Sequence, residues 1–319
     1  MSWFSRNGHH EDPTLVLSGG GSMGALQAGM LVSLMRKGFR PGRIIGTSVG
    51  ALNGAFLAFH PTLEGAERLV EIWRGLEGER YLRFNPLSIA YRLASRQTHL
   101  FRNDFLLELM ASRAETDDFA ATAVPLHVTA TNLHTGQKKV FSEGSISQAI
   151  LASTAIPGVF EPHRINGDAY IDGGVVANLD LETAVDLGAK DILAIDLSHC
   201  FELPSPKNVA GVIVRTVDIV MRDRVQRDMA TLGRKAKITL VQPEIEQGPG
   251  VGDFRNVARL LDSGISIGKQ LVERCLDDRG RLRPGTYRET AEPIPTEPEK
   301  HVTSRPRFGY RHGATQQEV

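Results

Sequence analysis

The chain has 319 residues, enough to bury a large core in one or two domains. Hydrophobic residues make up 41% and charged residues 23%, the balance of a globular protein, and 37 basic side chains offset 37 acidic ones, so no net field favours nucleic acid. Two cysteines, Cys200 and Cys275, exclude a disulfide scaffold and a four-cysteine zinc site and suit a reducing compartment.

Met1 to Thr14 is polar and lacks the apolar stretch of a signal peptide. Residues 1–13 therefore read as an N-terminal extension, and a cytoplasmic location is expected. No apolar run approaches the roughly 18 residues that cross a bilayer, which leaves peripheral membrane contact as the expected kind. Thr14 to Leu17 reads as a buried strand, followed by a glycine loop and a helix from Ala25 to Lys37. Arg43 to Gly46 reads as a second strand, with a helix from Val49 to Phe59. Helical patterns follow at Leu63–Leu76 and Asn103–Arg113. Leu126–Asn132 and Lys138–Phe141 form a strand pair about Thr135-Gly136, and His163–Ile165 and Ala169–Ile171 a second about Asn166-Gly167. Asp191–Leu197 and Ile238–Val241 read as strands, Val209–Leu232 and Arg255–Leu276 as helices. Strands alternating with helices predict an α/β fold with a mostly parallel sheet covered on both faces. Residues 14–278 are expected to form this domain. Residues 279–319, rich in proline, glutamate and arginine, are expected to be a flexible tail.

The loop Gly19-Gly20-Gly21-Ser22-Met23-Gly24 joins a strand to a helix, where backbone N–H groups can face a negative charge. Gly19, Gly21 and Gly24 fit a dinucleotide fingerprint. That reading wants an acidic residue about 20 positions on, and none occurs between Pro13 and Leu63. A P-loop fails for want of Gly-Lys-Ser/Thr. An oxyanion hole and a plain strand-to-helix turn both remain open.

Gly46-Thr47-Ser48-Val49-Gly50 has the Gly-x-Ser-x-Gly form of a nucleophile elbow, a tight strand-to-helix turn that pushes the serine hydroxyl outward. The stretches centred on Ser22 and Ser266 have the same form. Ser266 falls inside a helical pattern. Ser22 follows a glycine run suited to donating N–H groups rather than aiming a side chain. Ser48 is favoured, with Ser22 its rival. For the base, His199 stands near the end of a predicted strand, as a Ser-His-Asp hydrolase would need. Asp172-Gly173-Gly174 follows the strand end Ala169-Tyr170-Ile171, and an aspartate of raised pKa can take the serine proton directly. Taken by itself, Asp-Gly is also a common turn pair.

These three motifs in this order resemble the patatin-like phospholipases. Ala152-Ser153-Thr154-Ala155-Ile156-Pro157-Gly158-Val159-Phe160 and the run from Asp172 through Asn178 to Ala184 and Leu187-Gly188-Ala189 are similar to that family as well. The resemblance spans residues 14–197. It implies a three-layer α/β/α sandwich, Ser48 as nucleophile, Asp172 as base and the Gly19–Gly24 loop as oxyanion hole, acting on lipid esters with no cofactor or metal. Two positions depart from the pattern. Met23 stands where the family often has Arg or Lys, and Leu179-Asp180 replaces a common proline. Arg80 to Asn103 mixes aromatics with arginines and holds no acidic residue. It reads as a lid drawn to anionic lipid or as a solvated segment with packed aromatics. A non-catalytic lipid-binding relative is the other alternative.

Overall fold

The structure, a computed structural model, describes residues 12–77, 116–200, 205–206, 209–245, 253–278 and 280–291. The helical pattern at 103–113 and the segment 80–103 lie outside them. The described strands are β1 (Thr14–Leu17), β2 (Arg43–Thr47), β3 (Leu126–Asn132), β4 (Lys138–Phe141), β5 (His163–Ile165), β6 (Asp168–Asp172), β7 (Asp191–Ile195), β8 (Lys237–Ile245) and β9 (Gly285–Ala291). The described α-helices are α1 (Gly24–Arg36), α2 (Val49–Phe59), α3 (Leu63–Arg74), α4 (Ile146–Ser153), α5 (Gly174–Ala177), α6 (Leu181–Asp186), α7 (Val209–Leu232) and α8 (Val257–Cys275).

One sheet runs β5-β6-β3-β2-β1-β7-β8-β9, with β4 also paired to β3. Every pairing from β3 to β9 along this path is parallel, and β4, β5 and β6 add the antiparallel ones. Parallel neighbours need crossover helices, and these cover both faces. Alternating residues divide accordingly. Leu15, Leu17, Leu193 and Ile195 pack with α1, α2, α3 and α8. Val16, Ile45, Ile192 and Ala194 pack with residues of α6 and α7. The chain is thus an α/β/α sandwich, and burial of each of these Leu, Ile and Val side chains contributes about 1.5–3 kcal/mol. Helix α1 is buried along almost its whole length and lies against α8.

That contact explains the motif around Ser266, which sits exposed in α8. A Cβ on Gly264 would stand 2.1 Å from Leu26 O, and one on Gly268 2.8 Å from Ser33 Cβ. These glycines let two helix backbones approach and have no part in an elbow.

The tail boundary is corrected. Gly285–Ala291 pairs in parallel along β8 from Thr239↔Gly285 to Ile245↔Ala291, so ordered structure extends past residue 278. Arg283 N–H donates to Cys275 O at 2.8 Å and turns the chain back onto the sheet edge. Its polar composition resembles that of a tail because a strand at a sheet edge packs less of its surface. The segment Ile146–Ser153, for which the sequence predicts no element, forms helix α4, capped by Ser145 Oγ accepting from Gln148 N. No helix among the described residues is long and apolar enough to cross a membrane.

Candidate active site

The sheet changes direction at β1: the next strand in sequence, β2, lies on one side and β7 on the other. Clefts at the carboxyl ends of strands form at such points. The glycine loop leaves the end of β1 and Ser48 follows the end of β2. Register supplies the third component. Thr47 lies opposite Thr129 across β2–β3, and Ala130 lies opposite Asp172 across β3–β6.

Ser48 Oγ donates to Asp172 Oδ2 at 2.6 Å. Ser48 has φ 55° and ψ −125°, and among the described non-glycine residues only it and Asn166 have positive φ. Such a backbone costs on the order of 1–3 kcal/mol and persists only where its surroundings hold it. The turn closes because its flanks are glycine: a Cβ on Gly46 would stand 2.4 Å from Gly50 O, and one on Gly50 2.3 Å from Leu17 O. Ser48 caps the N-terminus of α2 without using its side chain, which leaves the hydroxyl for the carboxylate. The rival, Ser22, lies in a 3₁₀ turn (Gly21–Met23) and is fully buried, without the elbow backbone.

Asp172 Oδ1 accepts from Gly174 N at 2.7 Å. Burial raises its pKa to about 6, and the hydrogen bonds from Ser48 and Gly174 hold it from rising further. Gly173 passes so close to β3 that a Cβ there would stand 2.2 Å from Thr129 O. The serine hydroxyl meets the carboxylate directly, with no imidazole between them. His199 ends the turn Leu197–His199, and its side chain lies outside the described structure.

The glycine loop lies against this pair. A Cβ on Gly19 would stand 3.0 Å from Ser48 Cβ and 2.6 Å from Asn178 Oδ1. Gly21 needs its positive φ of 58°. Among the loop amides, Gly19 N donates to Asn178 O and Met23 N to Gly20 O, each at 3.2 Å. Gly24 N–H caps the 3₁₀ turn against Gly21 O. Met23 itself is buried in the apolar cluster beneath the loop. A cation at that position in this chain would enter apolar surroundings.

Several residues that hold the site escaped the motifs. Asn53 Nδ2 donates to Gly24 O and to Gln27 Oε1, both at 2.9 Å, and Asn53 Oδ1 accepts from Trp73 Nε1 at 2.8 Å. This buried network joins α1, α2 and α3 beneath the glycine loop. Asp180, in the place of the proline, accepts from Thr129 Oγ1 at 2.8 Å, from Thr183 Oγ1 at 2.7 Å and from Lys138 Nζ at 2.9 Å. It therefore both starts α6 and ties the segment after Asp172 to β3 and β4. Polar residues inside helices in an otherwise apolar pattern, such as Gln27 and Asn53, are the only sign of this in the sequence.

The profile of the patatin-like phospholipase family matches residues 15–185, more than half of the chain. The lysophospholipase nte1 of Aspergillus terreus is 30% identical over 294 residues, covering 84% of this chain and 18% of its own length. Patatin-like phospholipase domain-containing protein 7 of Mus musculus is 28% identical over 185 residues, covering 57% of this chain and 13% of its own. An uncharacterized NTE family protein of Mycobacterium tuberculosis is 28% identical over 187 residues, and the match covers 58% of this chain and 48% of that one. The chain thus spans less than half the length of these relatives. Among solved structures, VipD from Legionella pneumophila overlaps 83% of this chain and 67% of its own, with a TM-score of 0.44 and 14% identity. On the strength of the profile match, the chain belongs to the patatin-like phospholipase family.

Proposed function

We propose that the protein hydrolyses acyl esters of lipids, with Ser48 as nucleophile and Asp172 as the only general base. The observation that carries this reading is the 2.6 Å hydrogen bond from Ser48 Oγ to Asp172 Oδ2 at a strained elbow. Family membership supports the lipid ester class. A carboxylate with a pKa near 6 is ionised at neutral pH yet basic enough to accept a proton.

In this mechanism Asp172 takes the Ser48 proton as Oγ bonds to the ester carbonyl carbon, and the carbonyl electron pair moves onto oxygen. Gly19 and Met23 already donate their N–H groups elsewhere, and the N–H groups of Gly20 and Gly21 hold the oxyanion in this reading. Collapse breaks the ester C–O bond, and the alcohol leaves with the proton from Asp172. Water then gives a proton to Asp172 as its oxygen attacks the acyl carbon. Ser48 recovers that proton and the fatty acid departs. Membrane contact is peripheral in this reading. Val175, directly after the base motif, and Val212, Ile219 and Val220 of α7 are exposed aliphatics, and α5 packs on α7. Unchanged sedimentation with phosphatidylcholine vesicles in an Ile219→Asp, Val220→Asp variant would remove this part.

The deciding experiment measures p-nitrophenol release from esters of graded chain length. Ser48→Ala and Asp172→Asn are expected to lose about 10³-fold or more in kcat, while His199→Ala and Ser22→Ala still turn over. Equal loss in His199→Ala would favour a Ser-His mechanism. A wild type that sediments with vesicles but turns over no ester would make the chain a lipid-binding relative.

A further inference from the structure

Ser153, the last residue of α4, is fully buried, and nothing in the reaction above uses it. Its hydroxyl accepts from Ser48 N at 2.8 Å and donates to Thr129 O at 2.6 Å. Its carbonyl accepts from Gly173 N at 3.4 Å, and two residues on, Ala155 O accepts from Asp172 N at 2.9 Å. One short segment therefore holds the backbone of the nucleophile through a side chain and that of the base through carbonyls.

We infer that Ser153 is a positioning residue that holds Ser48 in its elbow conformation and sets its distance from Asp172. The inference rests on the Ser48–Asp172 reading and adds to it. Each polar atom of Ser48 is then hydrogen-bonded: N–H donates to Ser153, the carbonyl accepts from Ala51 and Leu52, and the hydroxyl donates to Asp172. Without the first of these the buried amide has no acceptor, and a left-handed non-glycine backbone relaxes toward an ordinary one. Relaxation turns Oγ away from the carboxylate. Only a hydroxyl serves here, because the group must accept from an N–H and donate to a carbonyl at once. The Ser48 amide is also withdrawn from the oxyanion, which leaves that task to the glycine loop.

The test compares Ser153→Ala and Ser153→Thr with wild type by two readouts, the rate at which a fluorophosphonate labels Ser48 and steady-state hydrolysis of p-nitrophenyl butyrate. Both are followed from about pH 5 to 9, well below each variant's Tm. In Ser153→Ala the labelling rate and kcat should fall about 10–100-fold with KM within about twofold. The pH midpoint should not fall below about 6, since Ser153 does not touch the Asp172 carboxylate and a weakened hydrogen bond from Ser48 lets it rise. Ser153→Thr, which keeps the hydroxyl, should recover most of the loss. Labelling within about twofold of wild type in Ser153→Ala, or equal losses in Ala and Thr, would overturn the inference. So would a loss carried by a shifted midpoint instead of a lower plateau. If Ser153→Ala does not fold, Ser153→Cys takes its place, with a weak acceptor and an expected intermediate loss; full labelling there overturns the proposal. Ser48→Ala separates the two levels: its labelling would sink the dyad itself, whereas a dead Ser48→Ala beside a fully reactive Ser153→Ala sinks only the positioning role.

Discussion

Ser48 Oγ and Asp172 Oδ2 are hydrogen-bonded although 124 residues separate them in the chain. The connection is β3, which takes Thr47 of β2 opposite Thr129 and Asp172 of β6 opposite Ala130. A slip of one residue in either pairing would turn one of the two side chains to the other face of the sheet. Both pairings are anchored, since Thr129 O accepts from Ser153 Oγ and Thr131 Oγ1 donates to Asp172 O at 2.9 Å.

The first prediction is a pH profile. Because burial raises the Asp172 pKa to about 6, kcat/KM should increase about tenfold per pH unit below 6 and level off above it. The profile should have a single acidic limb. A midpoint near the usual aspartate value of about 4 would mean that Asp172 is not the base.

Stability should move the other way. Asp172 loses its proton near pH 4 in the unfolded chain and near 6 in the folded one, so the native state binds the proton more tightly. The associated stability is complete below about pH 4 and is lost as pH rises through 6. Asp172→Asn stays neutral throughout. It should therefore be inactive yet more stable than wild type at about pH 7.5, by about 1–3 kcal/mol, with no gain at about pH 4. Thermal melts at the two pH values check this, and equal shifts at both would contradict it.

Gly19→Ala tests the loop. The added methyl would stand 2.6 Å from Asn178 Oδ1 and 3.0 Å from Ser48 Cβ, so the loop must move away from Ser48. A fall of about 10²-fold in kcat, with a modest loss of Tm, is expected. A variant of unchanged kcat would remove the loop from the oxyanion role.

Two truncations test the boundary of the ordered domain. A chain ending at Ala291 should keep the wild-type Tm. One ending at Pro284 loses β9 and leaves the β8 edge unpaired, at a cost on the order of 2 kcal/mol or more. Identical melts would show that β9 contributes nothing to stability.

Much of this was legible in the residues. The buried strands β1, β2 and β7, the glycine loop, the serine turn and Asp172 all carry local signals, because glycine spacing and apolar runs are what tight turns and two-sided burial demand. A glycine-flanked serine alone did not single out Ser48, as Ser22 and Ser266 have the same form. Sequence context favoured Ser48, and backbone conformation now distinguishes the three: positive φ at Ser48, a buried 3₁₀ turn at Ser22, and a helix packed through Gly264 and Gly268 at Ser266. Asp172 likewise differs from any other Asp-Gly turn only through its hydrogen bond and its burial. Asn53 had no motif, and the family-like segments holding Ser153 and Asp180 did not reveal their roles, since each acts on partners far away in the chain; strand β9 reads as a polar tail until β8 offers it an edge. The sequence by itself determined the sandwich and the candidate reactive groups, because local turn chemistry and hydrophobic period are properties of neighbouring residues. Tertiary structure alone decided which groups meet and in what state of charge, because distance and desolvation are set by strand register and by packing.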